Sequence, residues 1–423
     1  MEKLYKFKNG LKLAYSKVEK NRPLAVYFGV DVGSFDEKKK EYGISHFIEH
    51  LLFKGSNKRD AQQITREFED IGSDINASTS VTSTSFHAVG LDENIEKTIE
   101  LLSDMVLNPK FDESEIEKEK QVIFEEIDMH KESPDACLSE AFNELFYKGT
   151  GVEHRVIGTK KCLSKLSRDD IVAYYNKHYI SKNIIISIAT NHSFKEVKQL
   201  VEKYTISLLE NRKNVLRHKK YKEIEPQQFL RAINKDFTQA RVMIAFPLKK
   251  LEVEEKLITG MMAFALGGGF SSRLFTKIRE ENGLVYTIDC SITNGIVGGS
   301  LHVYFGCNPT NCKKTVEMVK AELEEFVKNG ITEEELKRTK ALYKSSYLSM
   351  REKSKSIARD NLSVASKKEK LGDYRIKIIE NAEVDKINEL ARKYIDFDKV
   401  CAIAVGKGVD DGMFECLKSN KKD

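Results

Sequence analysis

Gly43-Ile-Ser-His-Phe-Ile-Glu-His-Leu-Leu-Phe-Lys-Gly55 reads as one amphipathic helix, with apolar side chains at Ile44, Phe47, Ile48, Leu51 and Leu52. Residues four apart on a helix share a face, so His46 and His50 can point at one common atom. Glu49, three residues after His46, shares that side of the turn. Two imidazoles at this spacing suit a tetrahedral Zn²⁺, which takes His nitrogens at roughly 2.0–2.1 Å. A nearby carboxylate that is not itself a ligand can take a proton from metal-bound water. Such a site needs a third protein ligand and one open position. Without them the motif is two histidines at helical spacing.

A second helix carries the candidates for that ligand. Asp112 to Lys131 is acidic at its start, as the helix dipole favours. Glu119, Ile123, Glu126 and His130 fall on one face of it, while Glu125 is turned roughly 100° away from Glu126. In so charged a helix, a single Glu is by default a solvated residue. His130 is an alternative donor on the same face as Glu126.

Composition excludes several classes. The chain has 423 residues, a net charge of +5 and 32% charged residues. That length accommodates more than one core. The small positive balance lacks the concentrated basic face of a nucleic-acid binder. No apolar run of about 18 residues is present, so no membrane span is expected. The N-terminal residues Met1 to Gly10 carry neither the apolar core of a secretory signal nor an Arg/Ser-rich transit pattern, and they already begin a strand. Cys137, Cys162, Cys290, Cys307, Cys312, Cys401 and Cys416 are scattered, odd in number and without a CxxC. Such usage fits buried thiols in a reducing compartment, hence a cytoplasmic protein, rather than a disulfide frame.

Taken in order, residues 3–8 and 11–17 read as strands joined at Asn9-Gly10, a hairpin signal. Leu24 to Val32 is a further apolar strand. Asp60 to Ile71 is an amphipathic helix with Asp60 as N-cap. The Ser/Thr-dense stretch Gly72 to Val89 reads as two short strands, the first at a sheet edge, where backbone donors and acceptors stay free to pair with an extended peptide. Helices follow at Asn94 to Val106, Asp112 to Lys131 and Asp135 to Phe146, then a strand at Asn183 to Ala189. His154 lies in a loop and His178 ends a helix. His87, His192, His218 and His302 have no partner at ligand spacing. Arg212, Lys213, Arg217, Lys219, Lys220 and Lys222 precede Pro226 and mark a solvated linker.

Beyond that linker the pattern returns. Strands occupy Phe229 to Phe246, Leu284 to Ile292 and Gly299 to Phe305, with a helix at Glu254 to Leu266 and long helices at the end. Phe111-Asp-Glu-Ser-Glu-Ile-Glu-Lys-Glu119 aligns with Ile331-Thr-Glu-Glu-Glu-Leu-Lys-Arg-Thr339. In that register Glu119 faces Thr339 and Glu126 faces Ser346, and the second half has no HxxEH. The expected fold class is α+β. Two similar halves are related by an internal repeat, each a mostly antiparallel sheet with helices packed on it. The boundaries are 1–213 for the metal-binding half, 214–226 for the basic linker and 227–423 for the half without a metal motif. Gly267-Gly-Gly269 lacks the Lys-Ser/Thr of a phosphate-binding loop, which argues against a nucleotide enzyme; a helix end followed by a Ser cap suffices.

The run Asp31-Val-Gly-Ser-Phe-Asp36, followed by the Gly43–Gly55 helix, resembles the pitrilysin family of metallopeptidases. Its short members include the mitochondrial processing peptidase β-subunit and bacterial relatives. The resemblance spans about residues 1–410, and HxxEH is the inverse of the HExxH zinc motif. It implies a third zinc ligand, a Glu about 76 residues beyond the second His, which is the position of Glu126. It also implies a second Glu one heptad earlier, matched by Glu119. By the same resemblance Asn76 and Ala77, with Ser78 beside them, lie on the strand that holds substrate. Arg279 and Tyr286, seven apart and unremarkable on their own, match an Arg/Tyr pair that touches bound peptide near the metal. The implied protein is a zinc endopeptidase holding one Zn²⁺ per chain through His46, His50 and Glu126. Glu49 is its general base, and Tyr286 stabilises the oxyanion. Its substrates are unfolded or extended peptides cut inside an enclosed chamber. Longer family members join four such domains, so two copies of this chain are implied. That means a homodimer, or a heterodimer with a homologous subunit. The competing class is a non-catalytic peptide-binding or scaffold subunit, but no motif residue is missing here.

Overall fold

The computed structural model describes residues 2–209, 221, 223–367 and 374–418; most of the basic stretch read as a linker lies outside the described residues. The first half of the chain opens with β1 (Glu2–Lys6), β2 (Lys12–Lys17) and β3 (Leu24–Val30). Next come α1 (Ile44–Leu52), α2 (Ala61–Asp70), β4 (Asp74–Thr79), β5 (Thr84–Gly90), α3 (Ile95–Leu107) and α4 (Glu113–Glu132). It continues with α5 (Pro134–Phe146), α6 (Lys160–Leu163), α7 (Arg168–His178), β6 (Ile184–Thr190) and α8 (Phe194–Leu209). The second half contains β7 (Leu230–Asn234), β8 (Ala240–Leu248), α9 (Val253–Gly267), β9 (Val285–Gly295), β10 (Gly298–Cys307) and α10 (Cys312–Asn329). It ends with α11 (Glu333–Arg351), α12 (Ser354–Lys367), α13 (Tyr374–Glu380), α14 (Val384–Tyr394) and β11 (Cys401–Gly406).

Two sheets form. The first has the order β1-β2-β6-β3-β5-β4 and the second β7-β11-β8-β10-β9. Apart from the extra hairpin strand β1, the two orders superimpose. In each, the parallel pair falls at the same place, β2 with β6 and β7 with β11, and every other pairing is antiparallel. The expected α+β class and internal repeat are therefore present in the strand topology.

The chain divides into two compact units, one around each sheet. The first unit takes the chain up to Asp128, resumes at His154 and also takes in α12. The second takes α5 and most of the second half of the sequence. Each unit thus includes one helix from the other half of the sequence.

Burial explains why. β3 and β6 are buried at every position, so their apolar runs are continuous rather than alternating. One face of the first sheet packs on α1, α3, α7 and α8. The other packs on α12: Ile357 and Ala358 lie against Val18, Ala25, Tyr27 and Ala189. Ser187 Oγ donates to the Ala358 carbonyl at 2.7 Å, and Asn361 Nδ2 donates to Ser16 Oγ at 2.6 Å. Gly29 leaves the room for Leu362, whose Cδ1 would lie 2.5 Å from a Cβ there. In the second unit α5 packs correspondingly on β8 and β11. β4 alternates exposed and half-buried, as an edge strand with one covered face does.

Candidate metal centre

Helix α1 buries Ile44, Phe47, Ile48, Leu51 and Leu52 in the first core, and its other side carries His46, His50 and the buried Glu49. Its start is held by a group outside the helix. The Glu37 carboxylate accepts the backbone N–H of Gly43 at 2.7 Å and of Ser45 at 2.9 Å, satisfying first-turn donors that the helix itself leaves open. Ser45 Oγ lies 3.0 Å from the Tyr174 hydroxyl. Gly43 has φ +95°, and a Cβ there would meet the Ile157 carbonyl at 2.8 Å, so the approach to the helix requires glycine.

Helix α4 presents Glu119 and Glu126 to the same place. His46, His50 and Glu126 each offer a ligand atom, and these atoms lie within 4.8 Å of one another. Glu126 Oε2 is 3.9 Å from His46 Nε2 and 3.8 Å from His50 Nε2, beyond hydrogen-bond reach of either. It is buried and has no hydrogen-bond partner among the described residues. A buried carboxylate oxygen without a donor is costly unless something else meets it. Two imidazole nitrogens and a carboxylate oxygen are donors that zinc accepts, and the residues fit the ion. The cluster does not include His130, and Glu125 is exposed.

Glu119 sets the orientation of His50. Its Oε1 lies 2.8 Å from His50 Nδ1 and its Oε2 lies 2.8 Å from Lys54 Nζ. With Nδ1 donating to Glu119, the lone pair of Nε2 faces Glu126. Burial works against charge on His50, but the Glu119 hydrogen bond together with the negative charge of Glu119, Glu126 and Glu49 outweighs it, and the ring's pKa is raised. Glu119 is likewise opposed by burial, yet its bonds to His50 and Lys54 hold its carboxyl below the usual range. Burial pushes Glu49 up, and a hydrogen bond from Thr79 Oγ1 to its Oε2 offsets only part of this. Thr79 is the last residue of β4, so the edge strand ends beside Glu49.

Asn76, Ala77 and Ser78 lie on β4, which pairs on one side with β5. Asn76 and Ser78 are exposed; Asn76 Oδ1 accepts the Ala77 N–H at 2.7 Å, and Ser78 Oγ is 3.0 Å from Ser85 Oγ. In the second unit, Arg279 lies in a π-helical turn, Phe275–Glu280, with its guanidinium 4.7 Å from the Phe275 ring centre. Tyr286 is 62% exposed on β9, at the edge of that sheet. Gly267 and Gly268 are explained by close packing, since a Cβ would meet Cys290 N at 2.5 Å and the Phe264 ring at 2.4 Å.

Sequence reading missed Glu37, Lys54 and Thr79. Lys54 offered a signal, one helical turn past His50. Thr79 shares a strand face with Ala77. Glu37 offered none, because it caps from six residues before Gly43.

Comparison with known proteins gives the class. Residues 12–160 match the Insulinase (Peptidase family M16) profile, and residues 165–343 match that of the Peptidase M16 inactive domain. The chain belongs to this peptidase family, in its short two-domain form, as the resemblance to pitrilysins implied. It is 30% identical over 412 residues to an uncharacterized zinc protease, YmxG, of Bacillus subtilis strain 168, covering 96% of this chain and 99% of that one. A protease from Helicobacter pylori shares the fold with a TM-score of 0.89 at 21% identity, over 96% of this chain and 99% of that one. So does a chain of Complex III2 from Candida albicans, with a TM-score of 0.80 at 16% identity over 99% and 97%. The latter two likenesses are of fold alone. No helix among the described residues is long and apolar enough to cross a membrane.

Proposed function

We propose that this chain is a zinc-dependent endopeptidase of the cytoplasm that cuts unfolded or extended peptides. The observation that carries the reading is the convergence of His46 Nε2, His50 Nε2 and Glu126 Oε2, an oxygen with no hydrogen-bond partner among the described residues. These three residues hold one Zn²⁺ per chain, which when bound supplies a Lewis acid that polarises the scissile carbonyl and acidifies water toward a pKa of about 7. Glu49 takes the proton of the attacking water and hands it to the leaving amine. Burial, which raises its pKa, makes it a stronger base than an exposed glutamate. Thr79 engages Oε2 and leaves Oε1 for the proton. Glu119 fixes the His50 ring. Asn76, Ala77 and Ser78 receive the peptide as an added strand on β4, so backbone is bound with little regard to sequence.

The half from residue 227 to 423 contributes Arg279 to a substrate carbonyl and Tyr286 to the oxyanion. In a C2 homodimer these come from the other copy. Glu49→Gln and Tyr286→Phe homodimers are then each crippled, and subunit exchange partly restores turnover. Failure of verified mixed dimers to recover would place Tyr286 outside such a shared site.

The direct test offers purified protein to unstructured peptides with and without chelator and reads cuts by mass spectrometry. Cleavage should stop on chelation and return with zinc. Glu49→Gln should keep metal and lose about 10²–10⁴-fold in turnover. The second reading, a non-catalytic subunit acting with a partner chain, is favoured by the shared fold of the Complex III2 chain. Zinc-loaded protein that binds peptides and never cuts them would support it.

A further inference from the structure

Two cysteines in the second unit stand apart from everything above. Cys307 closes β10 and Cys312 opens α10, with only the short turn Asn308-Pro309-Thr310-Asn311 between them. Their sulfurs lie 3.3 Å apart. Among the described residues no other two cysteines touch. The pair is buried, yet the turn above it is at the surface: Asn308 and Thr310 are exposed. Cys312 is the first residue of an 18-residue helix, whose dipole favours a thiolate there, and its sulfur lies 3.9 Å from the Asn308 carbonyl oxygen. The hydrogen bond from Cys307 lowers the Cys312 thiol pKa, and the same contact raises that of Cys307. The Arg241 guanidinium, itself paired with Asp135, lies over neighbouring Gly306, and its charge acts on the Cys307 thiol.

The geometry points to Cys307 and Cys312 as a redox-active dithiol that a low-molecular-weight disulfide, of the glutathione disulfide class, converts to an intrachain disulfide. The Cys312 thiolate attacks one sulfur of the small disulfide, forming a mixed disulfide and releasing one thiolate. Cys307 then loses its proton and attacks the Cys312 sulfur, releasing the second. Two cysteine thiols are oxidised by two electrons and the reagent is reduced to two thiols, which take up the two protons. The closed bond ties the end of β10 to the start of α10.

The test equilibrates the full chain with glutathione buffers running from roughly a hundredfold excess of reduced to a hundredfold excess of oxidised reagent. The samples are acid-quenched, alkylated, digested and mapped by mass. A Cys307–Cys312 cross-link, lighter by two hydrogens, should form while the other five cysteines remain alkylatable. Cys312→Ser should abolish it, and Cys307→Ser should trap the mixed disulfide on Cys312. Alanine at either position replaces serine if the hydroxyl prevents folding. Circular dichroism of the wild type keeps the result tied to folded protein. The proposal fails if both thiols stay alkylatable in the oxidised buffers while the fold persists, or if the cross-link appears only in urea. It also fails if another cysteine is glutathionylated first. None of these readouts depends on zinc or on peptide cleavage.

Discussion

The two units use one strand order for opposite ends. After β3 the first unit runs into α1; after β8 the second runs into α9. Both helices bury an apolar face against their own core. The side of α1 away from the apolar core carries His46, Glu49 and His50, whereas α9 contains no histidine and buries Met261, Met262 and Leu266. The next counterpart pair is α4 and α11. Glu119 is buried against His50 and Lys54, and in the repeat register its place is taken by Thr339, also buried. Glu126 gives way to Ser346, which is exposed. The scaffold tolerates both sets, so chemistry belongs to a few side chains placed on it and not to the fold.

Removing the ligand contrast should have the largest effect. Glu126→Gln takes away the anionic donor and should cost more metal affinity than the about 10–100-fold typical of a residue that only orients a ligand. Chelator competition measures it. Glu125→Gln and Ser346→Ala should leave affinity unchanged. Metal loss in the Glu125 variant alone would show the register on α4 to be wrong.

Glu119→Ala should come next, at about 10–100-fold in metal affinity, because it frees the His50 ring without removing a ligand. Its counterpart Thr339→Ala should be silent by the same titration. Equal effects from the two would mean that both act through packing.

A smaller effect is expected at the start of α1. Glu37→Ala should cost about 1–2 kcal/mol of stability, the range of a lost helix cap, and lower the Tm. The variant should still bind zinc, with reduced affinity; unchanged Tm and affinity would dismiss Glu37 as a cap.

A pH-dependent effect concerns His87, on the face of the first sheet that α12 covers. The ring stacks on Tyr27 with centres 4.6 Å apart, and burial, aided by Lys355 and Arg359 against Asp74, pushes its pKa down to about 4. In the unfolded chain the ring titrates near 6.5. Above that both states are neutral and stability is full. As pH falls from about 6.5 to about 4 the unfolded state binds the proton first, so stability is lost across that window. Thermal melts of wild type and His87→Phe should diverge there, the variant being the flatter. Parallel curves would exclude His87 as the source.

How much of this was legible depends on whether the interaction is local. Helical spacing is fixed by backbone geometry, so HxxEH placed His46, Glu49 and His50 on one side of α1, and the apolar positions of that helix all entered the core. The Asn9-Gly10 hairpin, the Asp60 cap and the polar, Ser/Thr-dense strand that became β4 were equally local. The family resemblance pointed to Glu126 across a long stretch of chain that no periodicity bridges. Contacts between distant segments remained hidden. The Glu37 cap, the Thr79 bond to Glu49 and the Lys54–Glu119–His50 chain each need two elements brought together by packing. So does the inclusion of α5 and α12 in units built mainly from the opposite halves of the sequence. Their amphipathic patterns show that each must bury a face, but a pattern names no partner. Continuous burial of β3 and β6 supplied a second face to cover on the first sheet, and only the folded chain decided that α12 covers it.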